Sequence, residues 1–157
     1  SVSRFYLDFT VEESCGKCTP CRIGNKRLLE LLNKITEGRG TEKDLDTLAT
    51  LGQVIKDTAL CGLGQTSPNP VLSTLDNFYD EYLEHVRDKT CRAKQCKSLL
   101  TYYINPDTCI GCHLCAKNCP ADAITGLPRK PHTVLPEKCI KCGMCMAPCK
   151  FNAISVC

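Results

Sequence analysis

At 157 residues, with 15 cysteines, no tryptophan and a formal charge of +3, the chain has length for one to two domains and a modest core. No secretory signal stands out and no apolar run approaches about 18 residues, so neither export nor membrane spanning is expected. Cysteines at this density in a cytoplasmic chain read as metal ligands rather than as a disulfide frame, and nothing in the composition points to nucleic acid.

In chain order, the opening residues 2–9 alternate in polarity and are expected to be the end of a strand. The chain begins at Ser1 rather than methionine, so residues 1–10 are expected to close an upstream domain, where any nucleotide-binding fingerprint would lie. Next comes EESCGKCTPCRIG, residues 12–24, with Cys15, Cys18 and Cys21 spaced C-x2-C-x2-C; a fourth cysteine, Cys61, follows in ALCGLGQ. Between them, Leu28, Leu29, Leu31, Leu32 and Ile35 form a broad helical face that stops at Gly38 and Gly40. Thr41 with Asp44 reads as a capping box, after which Leu45, Leu48, Leu51 and Ile55 continue at helical spacing. The two helices are expected to form a hairpin that carries Cys61 back towards the triplet.

Asn69 as cap and Pro70 at the first position signal a third helix. Its apolar residues Leu75, Phe78, Tyr79, Tyr82, Leu83 and Val86 are three and four apart, and the aromatic stripe is expected in the core. Residues 11–88 therefore read as a small helical bundle around a site built from Cys15, Cys18, Cys21 and Cys61. A 4Fe-4S cluster is the expected occupant, and zinc is the alternative that the same four ligands would suit.

The last third is one unit written twice. PDTCIGCHLCAKNCPADAI and PEKCIKCGMCMAPCKFNAI place Pro106, Cys109, Cys112, Cys115 and Cys119 in register with Pro136, Cys139, Cys142, Cys145 and Cys149. The first copy reads C-x2-C-x2-C-x3-C-P. In two-cluster proteins three such thiolates hold one cubane, and the fourth cysteine serves the other cluster. One 4Fe-4S cluster is accordingly assigned to Cys109, Cys112, Cys115 and Cys149, and the other to Cys139, Cys142, Cys145 and Cys119. Paired zinc sites or a disulfide frame are the alternatives, but zinc ribbons use paired knuckles rather than triplets. This half, residues 101–157, resembles bacterial-type two-cluster ferredoxins, departing at Lys150, where that pattern has proline. Residues 153–157 are expected to pair with residues 101–105, as in that pattern.

Cys91, Cys96 and Cys157 remain, with histidines only at 85, 113 and 132. His85, Cys91 and Cys96 follow an H-x5-C-x4-C spacing through the linker, residues 89–100. A structural zinc held by four of Cys91, Cys96, His85, His132 and Cys157 is expected to fix this segment; free thiols or a Cys91–Cys96 disulfide are the alternatives. The charged residues 87–97 and 129–130 read as solvated surface, or else as a docking patch for an acidic partner.

ESCGKCTPCRIG followed by CGLGQTSPNPV resembles the 4Fe-4S domain of the flavin-bearing, NADH-oxidising subunit of respiratory NADH dehydrogenase. With the two-cluster module appended, the whole is similar to the beta subunit of electron-bifurcating and NAD(P)-reducing iron-iron hydrogenases. The resemblance implies an α+β chain, a helical bundle around one 4Fe-4S cluster followed by a two-cluster ferredoxin-like domain. It further implies FMN and NAD bound upstream. Implied partners are a hydrogenase catalytic subunit, a thioredoxin-like 2Fe-2S subunit and soluble ferredoxin. The expected role is electron relay within a multisubunit NADH- and ferredoxin-linked hydrogenase, with no catalytic residues of its own. An NADH-dependent formate dehydrogenase or a quinone-reducing NADH dehydrogenase is the alternative parent.

Overall fold

The computed structural model describes residues 2–157, and Ser1 lies outside them. The chain forms two units, Ser1–Cys91 and Arg92–Cys157, which divide within the segment 89–100.

The first unit is helical. It contains α1 (Val2–Glu13), α2 (Asn25–Thr36), α3 (Glu42–Thr58), α4 (Gly62–Thr66), α5 (Asn69–Asn77) and α6 (Tyr79–Leu83), with π-helical turns at Pro20–Gly24 and Glu84–Asp88. Leu28, Leu32 and Ile35 of α2 and Leu45, Leu48 and Ile55 of α3 are buried together with Leu7, Val71, Leu75 and Val86. These positions follow the three-and-four spacing of the sequence, and each buried aliphatic side chain contributes roughly 1.5–3 kcal/mol of transfer free energy. The capping box forms as expected: the Thr41 N–H donates to Asp44 Oδ2 at 2.8 Å, fixing where α3 starts.

Two elements differ from the sequence reading. The expected strand at residues 2–9 is instead part of α1, whose buried positions are Ser3, Leu7 and Thr10. Two of these three carry hydroxyls, so an apolar pattern cannot reveal the inward face. Ser3 Oγ donates to the Pro70 carbonyl at 3.1 Å and lies 3.0 Å from Thr74 Oγ1, which seats the helix against α5. The expected single third helix is broken at Phe78, which has φ −132° and ψ 38°. The break allows the Tyr82 hydroxyl to lie 2.9 Å from Thr74 Oγ1. In an unbroken helix, residues eight apart would be about 12 Å apart along the axis. Phe78 and Tyr79 consequently face solvent rather than the core. The cap of α5 is Pro68, one residue before the expected Asn69.

The second unit holds β1 (Tyr102–Ile104), α7 (Leu114–Lys117), β2 (Ile124–Thr125), β3 (Thr133–Val134) and β4 (Ile154–Val156), with a short 3-10 turn at Lys97–Leu99. Antiparallel β1 and β4 pair Tyr102 with Val156 and Ile104 with Ile154, the pairing expected from the ferredoxin pattern. Antiparallel β2 and β3 pair Ile124 with Val134. The repeat extends to the backbone: φ is positive at Gly111, His113 and Asp122, and again at Lys141, Gly143 and Asn152. Outside glycine that conformation is uncommon, so six matched occurrences mark two copies of one loop design.

Candidate metal centres

In the first unit, Cys15, Cys18 and Cys21 lie on and just before the π-helical turn Pro20–Gly24, and Cys61 caps the N-terminus of α4. A widened turn of this kind recurs at functional sites. The N–H groups of Leu60 and Cys21 point at the Cys18 sulfur and hold its thiol below the ordinary value. Leu60 precedes Cys61, so the α3–α4 connection reaches the triplet, as the hairpin reading expects. Ser14 Oγ lies 3.2 Å from Cys21 Sγ. Asn25 Nδ2 donates to the same sulfur at 3.5 Å, while Asn25 Oδ1 accepts from Ser67 Oγ at 2.7 Å. Asn25 is fully buried. Sequence reasoning missed it, although it sits three residues before Leu28 on the inward face of α2.

The second unit contains two small cavities. One is lined by Cys109, Cys112, Cys115 and Cys149 together with Ile104, Ile154, His113 and His132. The other is lined by Cys119, Cys139, Cys142 and Cys145 with Ile124, Val134 and Tyr102. Each cavity takes three cysteines from one copy and one from the other. Ala123 N–H donates to Cys119 Sγ at 3.3 Å. Burial pushes the Cys115 and Cys145 thiols up, and neighbouring cysteines add to the effect. Four thiolates around an apolar cavity require a cationic centre to offset their desolvation and mutual repulsion. The donor sets therefore fit iron-sulfur clusters, and no disulfide joins any of these cysteines.

In the connecting segment, the ligand atoms of His85, Cys91 and Cys96 all lie within 4.8 Å of one another. His85 Nδ1 is 2.6 Å from the Glu81 carbonyl oxygen. A carbonyl can only accept, so Nδ1 carries the hydrogen and Nε2 keeps its lone pair for a metal. The group does not include the other two candidates. Both nitrogens of His132 face partners in the second unit, His113 and the Lys130 carbonyl. Cys157 is exposed at the end of β4, where its backbone pairs with Thr101.

The "NADH-ubiquinone oxidoreductase-F iron-sulfur binding region" family matches residues 1–85. The chain belongs to this family. Residues 103–156 match the "4Fe-4S dicluster domain" family, so both units are of kinds that bind 4Fe-4S clusters. Over 132 residues, 84% of its length, the chain is 60% identical to the NADP-reducing hydrogenase subunit HndC of Solidesulfovibrio fructosivorans, of which it spans 27%. Over 81 residues, 52% of its length, it is 43% identical to the NAD-reducing hydrogenase HoxS subunit alpha of Cupriavidus necator, of which it spans 14%. A solved NAD+-reducing [NiFe]-hydrogenase, in the H2-reduced state, has a chain that aligns with 55% of this one at TM-score 0.52 and 30% identity, the match covering 15% of that chain. The family member described here thus spans about a quarter or less of these relatives. Among its described residues no helix is long and apolar enough to cross a membrane.

Proposed function

We propose that the chain is an electron-relay segment of a cytoplasmic NADH- and ferredoxin-linked hydrogenase, carrying three 4Fe-4S clusters. Cys15, Cys18, Cys21 and Cys61 hold the first. Cys109, Cys112, Cys115 and Cys149 hold the second, and Cys119, Cys139, Cys142 and Cys145 the third. When bound, such clusters supply one-electron transfer at potentials set by burial, hydrogen bonds to sulfur and charge. The chain supplies the thiolates, the apolar walls around them and N–H donors from Leu60, Asn25 and Ala123. The observation that carries this reading is the grouping of eight cysteines around two cavities, in the exchanged combination that two-cluster carriers use.

Electrons reach the first-unit cluster from an upstream FMN reduced by NADH, and the ferredoxin-like unit passes them on to partner subunits and to ferredoxin. The hydrogenase setting is favoured over the formate dehydrogenase or quinone-reducing one because similarity to HndC runs over 132 residues, more than either unit contains. The partners are a hydrogenase catalytic subunit and a 2Fe-2S subunit. An acidic carrier is favoured by charge: residues 92–157 hold nine Lys or Arg against three Asp or Glu, formally +6 before the two anionic clusters lower it, whereas residues 1–91 hold eleven against fourteen, formally −3 before the first cluster. Positive charge at the ferredoxin-like unit would steer such a partner, and the reduction rate would fall steeply with salt.

A structural zinc is held by His85 Nε2, Cys91 and Cys96, with a fourth ligand completing the tetrahedron. It gives order to a polar segment that has little core of its own.

Iron, sulfide and zinc are counted on anaerobically purified protein, followed by stepwise redox titration read by electron paramagnetic resonance. About twelve irons in three reducible cubanes, with one zinc, is the expected result. About eight irons would remove the first-unit cluster, and clusters that cannot be reduced reversibly would replace relay with a structural role.

A further inference from the structure

The loop joining β2 to β3 carries a histidine that cysteine spacing leaves without a role. His132 is 2% exposed, and both its ring nitrogens are engaged. Its Nδ1 lies 3.0 Å from the Lys130 carbonyl oxygen, and its Nε2 lies 2.7 Å from His113 Nδ1. The carbonyl accepts, so His132 Nδ1 carries the hydrogen and Nε2 accepts; His113 must then donate from its own Nδ1. His113 stands between Cys112 and Cys115, and both rings line the cavity of Cys109, Cys112, Cys115 and Cys149.

The same loop grips the cluster-binding loop through the backbone. Arg129 N–H donates to the Gly111 carbonyl at 3.0 Å. A Cβ at position 111 would come within 2.4 Å of the Lys130 nitrogen, at a φ of +71°, so glycine alone fits there. A Cβ on Gly126 would lie 2.7 Å from His132 Cγ, so the histidine is enclosed from that side too.

The second copy lacks every part of this arrangement. Gly143 stands where His113 does, Lys141 stands where Gly111 does, and no histidine lines the second cavity. Two loops of matching backbone thus surround their cavities with different polarity. Reduction adds a negative charge to a centre already rich in thiolates. A cluster's potential depends on the polar groups held against it, and the two cavities hold different ones. At the first are the linked His113 and His132 rings, whose N–H groups are engaged by His132 Nε2 and the Lys130 carbonyl. At the second is the Tyr102 hydroxyl, which a Cβ on Gly143 would meet at 3.0 Å.

We propose that His132 is a positioning residue: it locks the His113 imidazole beside the cluster of Cys109, Cys112, Cys115 and Cys149 and sets the reduction potential of that cluster apart from that of its counterpart. The two clusters of the repeat are thereby made unequal, which orders the electron path inside the module. This inference rests on the cluster assignment proposed above.

The test is a redox titration of the anaerobically purified holoprotein, read by electron paramagnetic resonance beside an iron count. In His132→Leu the midpoint of one ferredoxin-type cluster shifts while the other two clusters stay in place. In His132→Gln, which keeps an acceptor for the His113 N–H, the midpoint returns towards the wild-type value. His113→Gly installs the residue of the second copy at a φ of +65°, which glycine adopts readily. It moves the same midpoint in the same direction, and it decides the matter if His132→Leu fails to assemble. Unmoved midpoints in His113→Gly, or equal shifts of both ferredoxin-type clusters, would overturn the proposal. Fewer than about twelve irons in the wild-type protein would instead bring down the cluster assignment, and this inference with it.

Discussion

Asn25 and Cys21 face each other across the π-helical turn that leads into α2, with the carboxamide nitrogen 3.5 Å from the sulfur and the carboxamide oxygen held by Ser67 at 2.7 Å. A buried side chain thus links a cluster loop to the residue that follows α4. Replacing it by Asn25→Leu keeps the volume but removes the N–H aimed at sulfur. The first-unit cluster is expected to move to more negative potential, with the two ferredoxin-type clusters unmoved. Loss of the buried bond to Ser67 is expected to cost about 1–3 kcal/mol in anaerobic denaturant unfolding.

The exchanged ligand sets make a pairwise prediction for serine substitutions. Cys112→Ser and Cys149→Ser, thirty-seven positions apart, are expected to disturb the same paramagnetic signal. Cys119→Ser and Cys142→Ser are expected to disturb the other. If Cys149→Ser instead groups with Cys142→Ser, the fourth cysteine stays within its own copy and the exchange is wrong.

The helical core and its surface should respond very differently to mutation. Leu48 is completely buried between helices, so Leu48→Ala is expected to destabilise the first unit by about 2–5 kcal/mol. Arg87 makes two hydrogen bonds to Glu42, at 2.7 and 2.8 Å, but both side chains are more than half exposed. Glu42→Gln is expected to change stability by less than about 1 kcal/mol. Thermal unfolding of the two variants side by side would expose the contrast or its absence.

The N-terminus of α3 has a pH signature. Burial pushes the Asp44 carboxyl up, but hydrogen bonds from the Lys34 ammonium and from the Thr41 hydroxyl and N–H outweigh this and hold it below the ordinary value. A carboxyl depressed on folding contributes stability that is present above its unfolded pKa and is lost as pH falls through its folded pKa. Stability should therefore fall on acidification below the ordinary carboxylate range. Asp44→Asn should start about 1 kcal/mol lower at neutral pH and show a shallower acid slope. Parallel slopes for the two proteins would show that Asp44 does not contribute to the acid loss.

Removing the proposed zinc with a mild chelator is expected to leave the iron count and the three cluster signals intact while raising protease cleavage within residues 85–100. Zinc retained at one per chain in a His85→Ala, Cys91→Ser double variant would place the metal elsewhere.

The grouping of the cysteines was legible in the sequence because a C-x2-C-x2-C loop is a local feature: three thiolates a few residues apart can face one centre whatever the rest of the chain does. The repeat extended that reading to the exchange of Cys119 and Cys149. The apolar faces of α2 and α3 and the Thr41 cap were legible for the same reason, since helix period and capping act over a few residues. Only the tertiary structure decided what depended on partners far along the chain. Residues 2–9 became helical through hydroxyl contacts with Pro70 and Thr74, and the helix after α5 broke where the Tyr82 hydroxyl turns back to Thr74. His132 entered a cavity beside His113 instead of joining His85, Cys91 and Cys96. Buried polar groups must find partners. Which partner each one finds is set by packing, and sequence spacing does not contain it.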